Sequence, residues 1–210
     1  MKCHKTLMKM GLLGVLGLSG LLIATSSVSA QESKAMPVTE ASNWGFSFHI
    51  EQAKLDPVVA KRIGLHDTAT VLGMAGERRM NDNSMSVVTG LNIYLYNDNA
   101  GFTQNTTKGV KESSASGGSF FVEYGPKIHL GDDNKFHLIA HAGYNAMISA
   151  NRTIDDCSNC HSESIKLRGG PYALAGVGFN YGSVDWGLQF VKNFSGDVKN
   201  SVRLRISSSF

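Results

Sequence analysis

The chain of 210 residues lacks a long apolar stretch: its longest is the 14-residue run from 11 to 24 (GLLGVLGLSGLLIA). A helix needs about 20 apolar residues to cross a bilayer, so a helical transmembrane bundle is excluded. Charge is sparse, at 18% of residues, and has no dominant sign. Once Lys2, Lys5 and Lys9 of the acid-free first 30 residues are set aside, 17 basic residues face 17 acidic ones. That balance excludes a strongly basic nucleic-acid binder. Proline, at 4 residues, and cysteine, at 3, are also few.

The first segment supplies a compartment. A positive stretch (MKCHKTLMKM), the apolar run and the small residues Val28-Ser29-Ala30 form a secretory signal peptide, cut after Ala30. Cys3 leaves with it, so Cys157 and Cys160 are the cysteines of the mature chain. A polar segment, 31–42, precedes everything that has a pattern.

From 43 onward the pattern has period two, as in strands. In 43–52, Trp44, Phe46, Phe48 and Ile50 oppose Gly45, Ser47, His49 and Glu51. The alternation returns at 68–79, where small residues blur it, and at 84–96, 119–130, 136–148, 171–181, 184–192 and 201–210. Eight strands of mostly 9 to 13 residues match the 9–11 that a tilted strand needs to cross a bilayer. The connections alternate between long (53–67, 97–118, 149–170, 193–200) and short (80–83, 131–135, 182–183). The short ones are rich in Gly, Asn, Asp and Ser, as hairpins require.

Which face points out follows from bulk. The apolar face carries Trp44, Phe46, Phe48, Tyr124, Phe136, Tyr144, Phe179, Tyr181, Trp186, Phe190 and Phe210. An eight-stranded interior is too narrow for that many rings, which places them against lipid. Pro126 is discordant, because proline removes a ladder hydrogen bond, and a local bulge or break is expected there. The fold class expected is therefore all-β: an eight-stranded antiparallel up-and-down transmembrane barrel over 43–210, with short periplasmic turns and longer extracellular loops.

The eight segments, the loop rhythm and the terminal VRLRISSSF resemble the small eight-stranded outer-membrane β-barrels of the OmpA/OmpX/Ail type. The resemblance implies the outer membrane of a Gram-negative bacterium. It also implies an assembly signal read by the outer-membrane assembly machinery, carried by Leu204, Ile206, Ser208 and Phe210. Ser208 stands where an apolar or aromatic residue is more usual.

Closure sets the 43–52 strand beside the last one, with Glu51 and Arg203 facing inward near the outer rim and His49 and Arg205 one step below. Glu77, Arg79, Glu123, Lys127 and Asp185 are candidates to join them in a paired lumen network, because unpaired interior charges are costly. The network reads as a plug rather than a gated pore. His137 and His141 stand four apart, roughly 13 Å on a strand, too far for one ion. Only His129 and His137 face each other, and no third ligand is evident, so no metal and no cofactor is expected. Cys157-Ser158-Asn159-Cys160-His161 matches the CxxCH spacing of haem attachment, but in a polar surface loop a local Cys157–Cys160 disulfide is the simpler reading.

No His-x-Ser pair marks a lipid-modifying site on a strand, so no enzyme is expected. Function then falls to loops 97–118 and 149–170, with lipopolysaccharide, the surrounding lipid, and host or phage surfaces as partners. Two alternatives remain: a soluble, lipocalin-like periplasmic barrel with its aromatic face turned inward onto a small apolar ligand, and a small-pore or lipid-modifying barrel.

Overall fold

The structure is a computed structural model that describes residues 44–80, 84–99, 101–106, 109–131, 135–154 and 161–209. The expected signal peptide 1–30, the segment 31–42, Cys157, Cys160 and Phe210 lie outside the described residues. The elements in chain order are β1 (Trp44–Leu55), α1 (Pro57–Arg62), β2 (Leu65–Met80), β3 (Met85–Asp98), β4 (Thr103–Thr106), β5 (Gly109–Glu112), β6 (Ser114–Leu130), β7 (Phe136–Thr153), β8 (Ser162–Ser164), β9 (Gly170–Tyr181), β10 (Val184–Asn193) and β11 (Val198–Ser209).

Eight of these strands form one closed antiparallel ring, β1-β2-β3-β6-β7-β9-β10-β11, sealed by the pairing of β1 with β11. All eight expected strands are present. Closure matters because a sheet edge in lipid would leave unpaired N–H and C=O groups, each costing several kcal/mol. β4 and β5 form a separate hairpin, and β8 takes over as the neighbour of β7 above Asn145, where β9 ends.

The apolar face points out. Phe48 is 56% exposed and Ile50 50%, while the intervening His49 and Glu51 are 6% and 5% exposed. A soluble ligand-binding barrel requires the reverse, with Phe48, Ile50 and their outward neighbours turned into the lumen. Aromatic side chains mark the turn rim at Trp44, Phe136 and Tyr181, with the guanidinium of Arg78 over the Trp44 ring at 5.7 Å. At the turn rim Gly182 adopts φ +63° and Gly131 φ +75°, left-handed conformations that tight hairpins need.

The strands run further than the alternation 43–52 or 84–96 suggests, because the pattern inverts near the loop rim. There Ala53, Leu55, Leu65, Ala69, Val71, Tyr94, Tyr96, Ala115, Ala150, Ile165 and Val198 pack inward as an apolar cluster, while Gln52, Lys54, His66, Asn97 and Asn151 face out. Once the wall leaves lipid it meets water, and the ordinary sidedness of a soluble sheet returns. Consequently the outer connections shrink to 56–64, 99–113, 154–169 and 194–197. The last is only four residues, turned at Gly196 with φ +87°, so it is not one of the long loops expected from the sequence.

Helix α1 in the first loop is a local feature that strand periodicity hid. Asp56 is its N-cap, accepting from the Val58 and Val59 amides, Pro57 opens it, and Gly64 at φ +67° follows its end. At Pro126 the pairing with β7 is interrupted between Tyr124↔Ala142 and Lys127↔Ile139, yet the register is unchanged. The break expected there is present; the bulge lies elsewhere, between Gly118 and Ser119 opposite β7.

Outward placement has a measurable consequence. Leu91→Arg, in the middle of the outward stripe of β3, should destabilise the barrel folded in lipid vesicles by about 2–4 kcal/mol in guanidinium titrations. Val110→Arg on the β4–β5 hairpin, where Val110 is already exposed, should stay within about 0.5 kcal/mol.

Candidate functional site

The lumen is filled by a charge network strung across seven strands. Glu123, on β6 and fully buried, accepts from Arg203 Nη1 at 2.5 Å and from the Tyr172 hydroxyl at 2.8 Å. Arg203 also donates through Nε to Glu51 at 2.7 Å and lays its guanidinium over the Phe121 ring at 5.6 Å. One inward step toward the turns, Arg205 donates to Glu77 at 3.0 Å and lies 3.9 Å from the far Glu123 oxygen. Arg79 approaches Glu77 at 3.6 Å. At the floor Lys127 is paired with Asp185, and His137 Nε2 stands 3.2 Å from the other Asp185 oxygen.

The structure thus brings together Glu51, Glu77, Glu123 and Asp185 with Arg79, Lys127, Arg203 and Arg205, four carboxylates against four cations. The register places Glu51 opposite Arg203 and His49 opposite Arg205. Burial of such charges is tolerable only with this pairing, since a single uncompensated buried charge costs about 3–5 kcal/mol. Close approach of the wall makes room for the larger side chains: a Cβ on Gly73 would sit 2.2 Å from the His49 ring, and one on Gly143 2.6 Å from the Tyr172 ring. The freed His49 ring meets Asn92 Oδ1 at 3.0 Å.

Little space remains. One lumen cavity, against Glu77, His141 and Gln189, and another, against Glu51, Tyr94 and Asn145, each have a volume of about 10 Å³, about enough for one water. Within this packed interior lies a constellation that a search for His-x-Ser on one strand misses, because it is assembled across strands. Ser86 of β3 is 3.2 Å from His141 Nε2 of β7, and His141 Nδ1 is 3.6 Å from Glu123 Oε2 of β6. The residue types are those of an activated serine. Ser86 is only 1% exposed, and the lumen cavity beside His141 has a volume of about 10 Å³.

His129 and His137 are paired positions with ring centroids 5.6 Å apart. Among the described residues no group of three His, Cys, Asp or Glu could hold a metal ion. On β11, Leu204 and Ile206 face outward, and Ser208 pairs with Phe46 and Val184.

The outer mouth is closed by Arg152, which sequence reading left inside a polar loop. Inward positions shift from odd to even residues at the irregularity opposite Gly118 and Ser119, so Ala150, Arg152 and Ile154 face in where period-two counting along 136–148 puts even residues outside. Arg152 is buried and donates through Nε to both Asp98 oxygens at 2.8 Å, through Nη1 to Glu163 at 2.9 Å, and through Nη2 to the carbonyls of Ile63 and Gly64 at 2.9 and 3.0 Å. One side chain thereby ties the end of β3, the end of α1 and β8. Ser113 Oγ donates to Asp98 at 2.8 Å, and the Phe102 and His161 rings meet edge-on at 4.7 Å, so the β4–β5 hairpin joins the same cap. At the β10–β11 loop, Arg168 N donates to the buried Asp197 at 2.7 Å.

No family model and no curated protein matches the chain. Among solved structures, it is similar to Ail, the attachment invasion locus protein of Yersinia pestis, in complex with the heparin analogue sucrose octasulfate: 14% identity, 79% of this chain and 95% of that one, TM-score 0.46. It is also similar to Neisserial surface protein A, at 13% identity over 81% of this chain and 99% of the other, TM-score 0.45. An outer membrane channel from Pseudomonas putida aligns at 8% identity with a TM-score of 0.28, covering 88% of this chain and 100% of that one.

Three outcomes test this geometry. Glu123→Gln, which leaves the lumen with four cations against three carboxylates, should lower unfolding stability by about 3–5 kcal/mol. Arg152→Ala should leave the barrel folded but speed proteolytic nicking within 56–64 and 99–113, read by mass spectrometry of limited digests. The Lys199 ammonium and the Val59 and Val58 amides hold the exposed Asp56 carboxyl below its ordinary value of 3.8. A lowered folded-state value means that the Asp56 tie is present above the unfolded-state value and lost as pH falls through the folded one. Protection of the Val58 and Val59 amides, taken against the intrinsic exchange rate at each pH, should therefore fall only below about pH 4.

Proposed function

We propose that the protein is an integral outer-membrane β-barrel of a Gram-negative bacterium, with a packed, non-conducting lumen, that acts through its outer connections rather than by catalysis. The observation that carries this reading is the sidedness of the closed ring, with an apolar outer face around a neutralised polar filling. A barrel of this kind sits in the bilayer and presents the β4–β5 hairpin and the connection through β8 to the exterior. Those segments, within loops 97–118 and 149–170, are the contact surface for lipopolysaccharide and for host or phage surfaces. The outward Leu204 and Ile206 of β11 suit delivery to the outer-membrane assembly machinery.

The small-pore alternative is disfavoured by the lumen itself, because Lys127–Asp185 at the floor, Glu123 with Arg203 at mid-height and the Arg152 cap all cross the path.

The test is a detergent gel of the membrane-extracted protein, boiled against unboiled, joined to planar-bilayer recording. A heat-dependent mobility shift with silent bilayers is expected. A soluble protein with no shift overturns the membrane reading, and regular conductance steps overturn the packed lumen.

A further inference from the structure

The outer wall is not uniform around its circumference. On β1, β11 and β10, the outward positions just beyond the apolar band carry Lys54, Asn200 and Lys192, and pairing makes Asn200 the neighbour of both lysines. Adjacent strands lie about 4.8 Å apart, so the two lysine backbones are about 10 Å apart with an amide side chain between them. The next strands along this row carry Ala173 and Thr68 at the paired positions, neither of them charged. Lys199, in the irregularity of β11 beside this row, adds a third exposed cation.

The acidic groups that face these lysines are few. Asp67 stands 3.9 Å from Lys54 with both side chains about half exposed, and Asp56 holds Lys199 at 2.9 Å. Among the described residues Lys192 has no acidic partner. Exposed pairs of this kind are weak and leave Lys54 available to a stronger anion.

Directly below the row, four residues or about 13 Å down β1, the same face opens into an apolar groove of about 370 Å³. It is lined by Phe48, Ile50, Leu72, Leu204 and Ile206, together with His49 and Gly73. Cation row and groove lie in register: Lys54 and Asn200 above, Ile50 and Leu204 below, on paired strands.

We propose that this face of β10, β11 and β1 is a binding site for one phosphorylated lipid of the outer leaflet. Its headgroup phosphate lies between Lys54 and Lys192, with Asn200 as a hydrogen-bond donor, and one acyl chain lies in the groove beneath. The occupant is a lipid rather than a free anion because an apolar groove and a cation row at one membrane boundary together match an amphiphile with its charge at the head. The proposal rests on the outer-membrane reading and deepens it, by naming a lipid contact on the wall of the barrel beside that of its loops.

The test uses the folded full-length protein in detergent, mixed with lipid A bearing both phosphates, with dephosphorylated lipid A, or with inorganic phosphate. Lipid retained after gel filtration is quantified. Wild type should retain phosphorylated lipid A, and Lys54→Gln combined with Lys192→Gln should retain it about tenfold less. Dephosphorylated lipid A should be retained as poorly, inorganic phosphate should not compete at millimolar levels, and Lys61→Gln with Arg62→Gln on α1 should behave as wild type. Equal retention by wild type and the Lys54/Lys192 variant, equal retention of dephosphorylated lipid, competition by inorganic phosphate, or equal loss in the α1 variant overturns the site. The gel shift on boiling separates the two levels: a shift with unchanged retention removes only the lipid site, whereas its absence in wild type removes the membrane reading as well.

Discussion

In a bilayer the backbone cannot turn to water for its hydrogen bonds, and this constraint organises the rest of the molecule. Strands that cross must pair on both sides, so the ring has to close through β1 and β11. Closure with eight strands fixes an interior just wide enough for side chains. Lipid outside then assigns every even-numbered residue from Trp44 to Ile50 to the exterior, and Ser47, His49 and Glu51 to an interior with room for little beyond side chains. Neutrality becomes compulsory, and Glu123, shared by Arg203, Tyr172, His141 and Arg205, is where the network converges.

The same constraint explains why the upper part of the barrel looks like a different protein. Past Gln52 and Lys54 the wall stands in water, the inward positions become Ala53 and Leu55, and a soluble-type apolar cluster forms under α1. That cluster and the Arg152 knot give the outer segments a rigid base.

The membrane-spanning part was legible in the sequence because period-two alternation and ring size together decide sidedness. Glu51 with Arg203 and His49 with Arg205 followed from pairing the first strand with the last. The upper rim was less legible for a physical reason: a search for outward apolar residues stops where the pattern inverts, so strand ends fell short at 52, 96 and 148, and Arg152 disappeared into a loop. The signals for α1, Asp56-Pro57 and Gly64, are short and stand between two strands whose period-two pattern dominates the region. The Ser86–His141 pair joins strands that are not sequence neighbours, and only the register of the ring brings them together. Pro126 was read correctly as a lost bond but not as a site where the register survives.

The whole barrel depends on which way β1 faces at each position. The most direct measurement places a nitroxide label in turn at 47 through 54, in a cysteine-free background reconstituted in lipid, and compares collision with oxygen against collision with a water-soluble nickel chelate. Sites 48 and 50 should meet oxygen, 52 and 54 should meet nickel, and 47, 49, 51 and 53 should meet neither. Nickel access at 47, 49 and 51 would contradict the account, because it would mean a wet lumen where the structure has a packed one.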